Sequence, residues 1–155
     1  MKKMSFLFLF LSLLLAACAP KVEVSQNGIE IAQSKARLSS AGMAGMNGMG
    51  AGESTPGAVF MTIKNANSET DTLVGVSADF GDAELHETVM VDNVMSMRPV
   101  PQLEIPAGAM VELKSGSYHI MIMNPKAVHV GDIVHITLQF EKAGEVIVPI
   151  SISNK

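Results

Sequence analysis

From Gly28 to Ile152 the chain is a succession of short runs rich in β-branched and aromatic residues. Gly, Pro, Asn or Asp stands at nearly every junction between them. Residues 58–65 (AVFMTIKN), 71–78 (DTLVGVSA), 83–91 (AELHETVMV) and 94–100 (VMSMRPV) read as strands. So do 102–108, 109–116, 118–124 (YHIMIMN), 132–140 (DIVHITLQF) and 145–152. The run that begins IEIAQSKARLS at Ile29 reads as a bent strand or a strand pair. No run in this region places apolar residues at helical spacing. Many short strands at regular spacing predict an all-β sandwich or barrel. There is no Trp and only one Tyr, so aliphatic residues and Met must build its core.

The first residues have another purpose. MKKMSFLFLFLSLLLAAC opens with the cations Lys2 and Lys3. An apolar stretch, Phe6 to Leu15, follows and is too short for an ordinary membrane span. Leu15-Ala16-Ala17-Cys18 resembles the bacterial lipobox, against a plain secretory signal with a chance cysteine. The resemblance implies cleavage before Cys18 and lipid attachment to its thiol. The expected organisation is a signal peptide over 1–17, a lipidated N-terminus and polar tether over 18–27, and one domain over 28–155. The protein is then exported and lipid-anchored, facing the periplasm, or the exterior in a cell with a single membrane. Cys18 is the only cysteine, so the domain has neither a disulfide nor a thiolate metal ligand. Loss of Lys2 and Lys3 makes the formal net charge of −4 more negative by two. An acidic chain of this kind is a poor binder of nucleic acid.

Methionine is the unusual component, at 12 residues. Asp92-Asn93 is a competent two-residue hairpin turn, because both residues tolerate φ > 0. That turn sets Met90 against Met95, Thr88 against Met97, His86 against Pro99, and Glu87 against Arg98. The last pair has opposite charges, which supports the register. His86 and Met97 become diagonal neighbours on one face, about 7–8 Å apart at the backbone. In 118–124, His119 and Met121 also share a face, opposite Tyr118, Ile120 and Ile122. Two imidazoles and two thioethers are a soft set that selects Cu(I). Calcium and magnesium need oxygen ligands, and zinc sites use His, Cys and carboxylate.

The order His86, ten residues, Met97, twenty-one residues, His119, one residue, Met121 matches the H-x10-M-x21-H-x-M signature of the periplasmic copper chaperone (PCuAC) family. VFMTIKN, ELHETVM, MRPV, LEIPAGAMVELKSGSYHIMIM and FEKAGEVIVPI resemble that family as well, so that the likeness covers about residues 28–152. It implies a cupredoxin-like Greek-key β-sandwich and Cu(I) held by His86, Met97, His119 and Met121. It further implies a copper chaperone rather than an enzyme, with a copper acceptor as partner: the copper-binding subunit of cytochrome c oxidase or a Sco-type protein. The departure from the family pattern is the Gly-rich segment 39–57, which carries Met43, Met46 and Met49. These three are candidates for a secondary, labile Cu(I) site or a lid.

The remaining residues have simpler readings. Met123 is expected to wall the site, Met61 and Met110 to lie in the core, and Met90 and Met95 to pack or line a rim. His129 and His135 read as structural or surface residues. The rival functions are copper scavenging or resistance, a blue-copper electron carrier, and a structural lipoprotein without metal. The electron carrier would need a Cys thiolate that the domain does not have. No nucleophile motif, phosphate loop or carboxylate pair points to an enzyme.

Overall fold

A computed structural model describes residues 21–38 and 56–152. The signal peptide, Cys18, Met43, Met46 and Met49 lie outside the described residues. The described chain forms eleven strands: β1 (Val22–Gln26), β2 (Ile29–Arg37), β3 (Gly57–Asn65), β4 (Asp71–Ala78), β5 (Asp82–Val91), β6 (Val94–Pro99), β7 (Leu103–Ile105), β8 (Met110–Leu113), β9 (Tyr118–Met123), β10 (Ile133–Phe140) and β11 (Gly144–Ser151). The all-β expectation holds.

One sheet runs β1-β2-β3-β9-β5-β6, with β8 also paired to β3, and the second runs β11-β10-β4-β7. The chain crosses between the sheets after β3, β4, β6, β7 and β9, which makes the sandwich a Greek-key type rather than a meander. Alternation sorts the side chains. Val59, Met61, Ile63, Leu85, Ile120 and Ile122 face inward from the first sheet. Leu73, Ile136, Leu138, Phe140, Val146 and Val148 meet them from the second. The other face of the first sheet is free to carry polar and soft side chains.

Three local features shape that face. β2 bends at a bulge between Ala32 and Lys35, where Gln33 takes φ 56°, so the bent-strand reading of this run is correct. β3 is shared, pairing β9 through Gly57–Val59 and β8 through Met61–Lys64. Asp92 and Asn93 both take positive φ, and the β5–β6 register is the one expected from the sequence, Val91 opposite Val94 through His86 opposite Pro99. Arg98 donates to Glu87 at 2.8 Å across that hairpin.

Two expectations need correction. The segment expected as a polar tether contains β1, which pairs with β2 around Asn27-Gly28. Asn-Gly is a strong hairpin signal, and it turns the Val22/Val24 alternation into a strand. Met110 is 58% exposed rather than buried, because it stands opposite Lys64 on the outer face of the first sheet. Met61, facing the other way, is fully buried as expected.

Candidate metal centre

β5 lies beside β9, and this pairing builds the site. His86 stands directly opposite His119, and Glu84 directly opposite Met121. Directly opposed residues share a face. The hairpin puts Thr88 opposite Met97, so Met97 joins the same face one step further along. Ala58 of β3, opposite Met121, closes the other side. The four residues singled out from the sequence therefore occupy one face of three adjacent strands. Met97, His119, Met121 and Thr88 line one open cavity of about 290 Å³. His86 stands beside it, its ring centroid 6.1 Å from that of His119.

Hydrogen bonds decide which ring nitrogens are free. His119 is 5% exposed, and its Nδ1 lies 3.0 Å from the carbonyl oxygen of Ser117. A carbonyl only accepts, so in the neutral ring Nδ1 carries the proton and Nε2 keeps its lone pair. The same Ser117 carbonyl accepts from the backbone N–H of Thr88, which ties β9 to β5 at this point. His86 has the opposite tautomer. Its Nε2 lies 2.8 Å from Oε2 of Glu84, and a carboxylate accepts. Among the described residues, Nδ1 of His86 is left buried without a hydrogen-bond partner, and so is Oγ1 of Thr88. An unpartnered buried polar atom costs about 1–3 kcal/mol. A ligand drawn to this face would remove that cost for the imidazole. Among the described residues no group of three or more His, Cys, Asp or Glu is placed to hold a metal. A metal here would thus depend on the thioethers, and the donor set of two imidazole nitrogens and two thioether sulfurs suits a soft monovalent ion.

Access is uneven. Met97 is 57% exposed, Met121 half-buried and His119 buried, so the site is walled on the β9 side and open on the hairpin side. Met123 shares the face of Met121 but stands opposite Asp82 and is not among the residues lining the cavity, so it does not wall the site as expected. Met90 and Met95, opposite each other near the hairpin tip, are 64% and 63% exposed, which fits the rim reading rather than packing. His135 and His129 are structural. Nδ1 of His135 is 2.9 Å from Oδ2 of Asp79, and the backbone of His129 donates to Asp132. Sequence reasoning missed Glu84, the Ser117 carbonyl and Thr88. Glu84 and Thr88 were accessible to it, since each is two residues from His86 and strand alternation puts all three on one face.

The LpqE-like lipoprotein family matches residues 25–152. Protein RP573 of Rickettsia prowazekii (strain Madrid E) is 31% identical over 66% of this chain and 59% of its own length. Lxx21020 of Leifsonia xyli subsp. xyli, named as a lipoprotein, is 35% identical over 54% of this chain and 52% of its own. The chain thus spans between half and three-fifths of these curated relatives. Among solved structures, the copper-bound PCuAC domain from PmoF2 superposes with a TM-score of 0.60 at 24% identity, covering 85% of this chain and 97% of that one. The solution structure of CuI-DR1885 from Deinococcus radiodurans does so with a TM-score of 0.55 at 24% identity, covering 79% and 78%. Among the described residues no helix is long and apolar enough to cross a membrane. By the family match over 25–152 and by its fold, the chain belongs to the LpqE-like family and is built on the cupredoxin-like β-fold of PCuAC domains.

Proposed function

We propose that this protein is a Cu(I) chaperone that binds its cargo through His86, Met97, His119 and Met121. The observation that carries the reading is the convergence of these residues on one face, with Nδ1 of His86 buried and unpartnered and Nε2 of His119 free of its hydrogen bond. Similarity in fold to copper-bound PCuAC domains supports it. The neutral thioethers bind and release without moving a proton. Both imidazoles ligate only in the neutral form, so protons compete with the ion for these two ligands and not for the thioethers. His119 and Met121, on a central strand, hold the ion in place. Met97, on an exposed edge strand, is the ligand that an acceptor can displace first.

The chain is exported, cleaved before Cys18 and lipidated there, and the ion passes to a copper acceptor outside the cytoplasm. The copper-binding subunit of cytochrome c oxidase or a Sco-type protein fits that role. The test is a Cu(I) competition titration under reducing conditions. His119→Ala and Met121→Leu each lower affinity by at least about tenfold, one lost ligand being worth more than 1.4 kcal/mol. Unchanged affinity in both variants overturns the site.

Met43, Met46 and Met49 are proposed as a second, labile Cu(I) site. In support, Arg37 and Gly57, which flank their segment, both line the cavity. Deletion of residues 41–50 then lowers the copper stoichiometry; an unchanged stoichiometry removes this second reading.

A further inference from the structure

The β5–β6 hairpin extends beyond its sheet. β9 pairs with β5 from Asp82 to Glu87 and a last hydrogen bond joins Thr88 to Ser117, so Val89–Val91 have β6 as their one strand neighbour among the described residues. Every residue of β6 is exposed. On this arm the apolar side chains are sorted by face. Val91 stands opposite Val94 on one side. Met90 stands opposite Met95 on the other, the side of His86, Thr88 and Met97. An exposed patch selected only for stickiness would not separate sulfur from aliphatic carbon in this way. Methionine also gives a strand less than a β-branched residue does, and these two bury little.

The geometry points to Met90 and Met95 as an outer Cu(I) site, a thioether pair that takes the ion first and hands it to the four-residue site through Met97. Directly opposed residues on a hairpin have Cβ atoms about 4.5–5.5 Å apart, so two flexible thioethers can close on one ion between them. Met95 and Met97 are two residues apart on one strand, roughly 7 Å. Met97 is thus within side-chain reach of the outer pair and of the cavity that His119 and Met121 line. Transfer is ligand exchange: one copper–sulfur bond forms as another breaks, the ion stays monovalent, and no proton moves. Met110 is the internal contrast. It is as exposed as Met97 but faces Lys64, and it has no second sulfur opposite it.

This proposal rests on the inner site for its destination, but the pair can be tested separately. The full-length chain, labelled with 13C at its methionine methyls, is titrated with Ag(I) as a redox-inert stand-in for Cu(I). The first equivalent is expected to shift the Met97 and Met121 methyls, and further Ag(I) to shift Met90 and Met95 together while Met110 stays in place. Met95→Leu is expected to abolish the shift of Met90. If Met90 and Met95 do not move through three equivalents, or if Met90 moves equally without Met95, the outer site is overturned. A failure of the inner site reads differently, as unmoved Met97 and Met121. The handover is tested by stopped-flow transfer of Cu(I) from a chromophoric chelator to the protein. Met90→Leu/Met95→Leu slows it about tenfold, equivalent to 1.4 kcal/mol on the barrier. An unchanged rate overturns the relay and leaves the arm as an apolar contact for a partner protein.

Discussion

At the level of single residues, the two histidines are set up by different partners, and this makes them distinguishable. His119 is oriented by a backbone carbonyl that no substitution removes. His86 is oriented by the Glu84 carboxylate, on a side chain 46% exposed. Removing Glu84 frees the His86 ring to rotate and to present either nitrogen, so the ligand is no longer pre-aimed. Partners of this kind are worth 10–100-fold in metal affinity. Glu84→Ala is therefore expected to weaken Cu(I) binding by roughly 10–100-fold. Glu84→Gln, which keeps an acceptor oxygen, should recover most of the loss. Competition titration measures the affinities, and an unchanged melting temperature in both variants separates orientation from unfolding. The four proposed ligands could be singled out in the sequence because their spacing is long and specific. Glu84 was not singled out, since a carboxylate on an exposed strand face is the ordinary case. Met110 shows the limit of the same logic: its parity in β8 could not be assigned until its opposition to Lys64 was seen.

Among the elements, the β5–β6 hairpin was the most readable. Asp92-Asn93 permits positive φ twice, and Glu87 opposite Arg98 discriminates between registers. The contact of β5 with β9 was not readable. Nothing local connects His86 to His119, and the pairing follows from how the whole first sheet is ordered. The turn and the site are therefore coupled through register. A one-residue slip in the hairpin would send Met97 to the opposite face. Asn93 takes φ 62°, which costs an ordinary L-residue about 1–2 kcal/mol and a β-branched one more. Asn93→Val is expected to destabilise the hairpin by at least that amount and to lower Cu(I) affinity in the same variant. Asn93→Gly should preserve both. Hydrogen exchange of the β6 amides reports the first effect and competition titration the second. Loss of hairpin protection with full copper affinity would show that Met97 does not depend on the turn.

At the scale of the whole molecule, the two sheets are held by apolar packing and by a few buried polar groups. The apolar part was legible from alternation; the polar part was not, because its partners lie far apart in sequence. Asn65 is fully buried in β3 and donates to the carbonyl of Ile105 in the second sheet at 3.0 Å. Asp71, 2% exposed, accepts from the backbone N–H groups of Thr72, Lys142 and Ala143, and so pins the β10–β11 turn to β4. Burial raises the pKa of this carboxyl, but the donated N–H groups of Lys142, Ala143 and Thr72, together with the Lys142 charge, outweigh it and hold the group below the ordinary value of 3.8. A lowered pKa in the folded state means that the charged form stabilises the fold. That contribution is complete above 3.8, the value of the unfolded chain, and disappears as pH falls through the lower value of the folded one. Asp71→Asn keeps one acceptor oxygen and loses the charge, at a cost of about 2 kcal/mol near neutral pH. The variant should also lose part of the acid-induced decline in stability, because it has no proton to take up at this position. Urea denaturation at a series of pH values between 2.5 and 7 tests both effects. The curves of wild type and variant should converge toward the acid end. A constant gap across the series would mean that Asp71 stabilises the turn by shape rather than by charge.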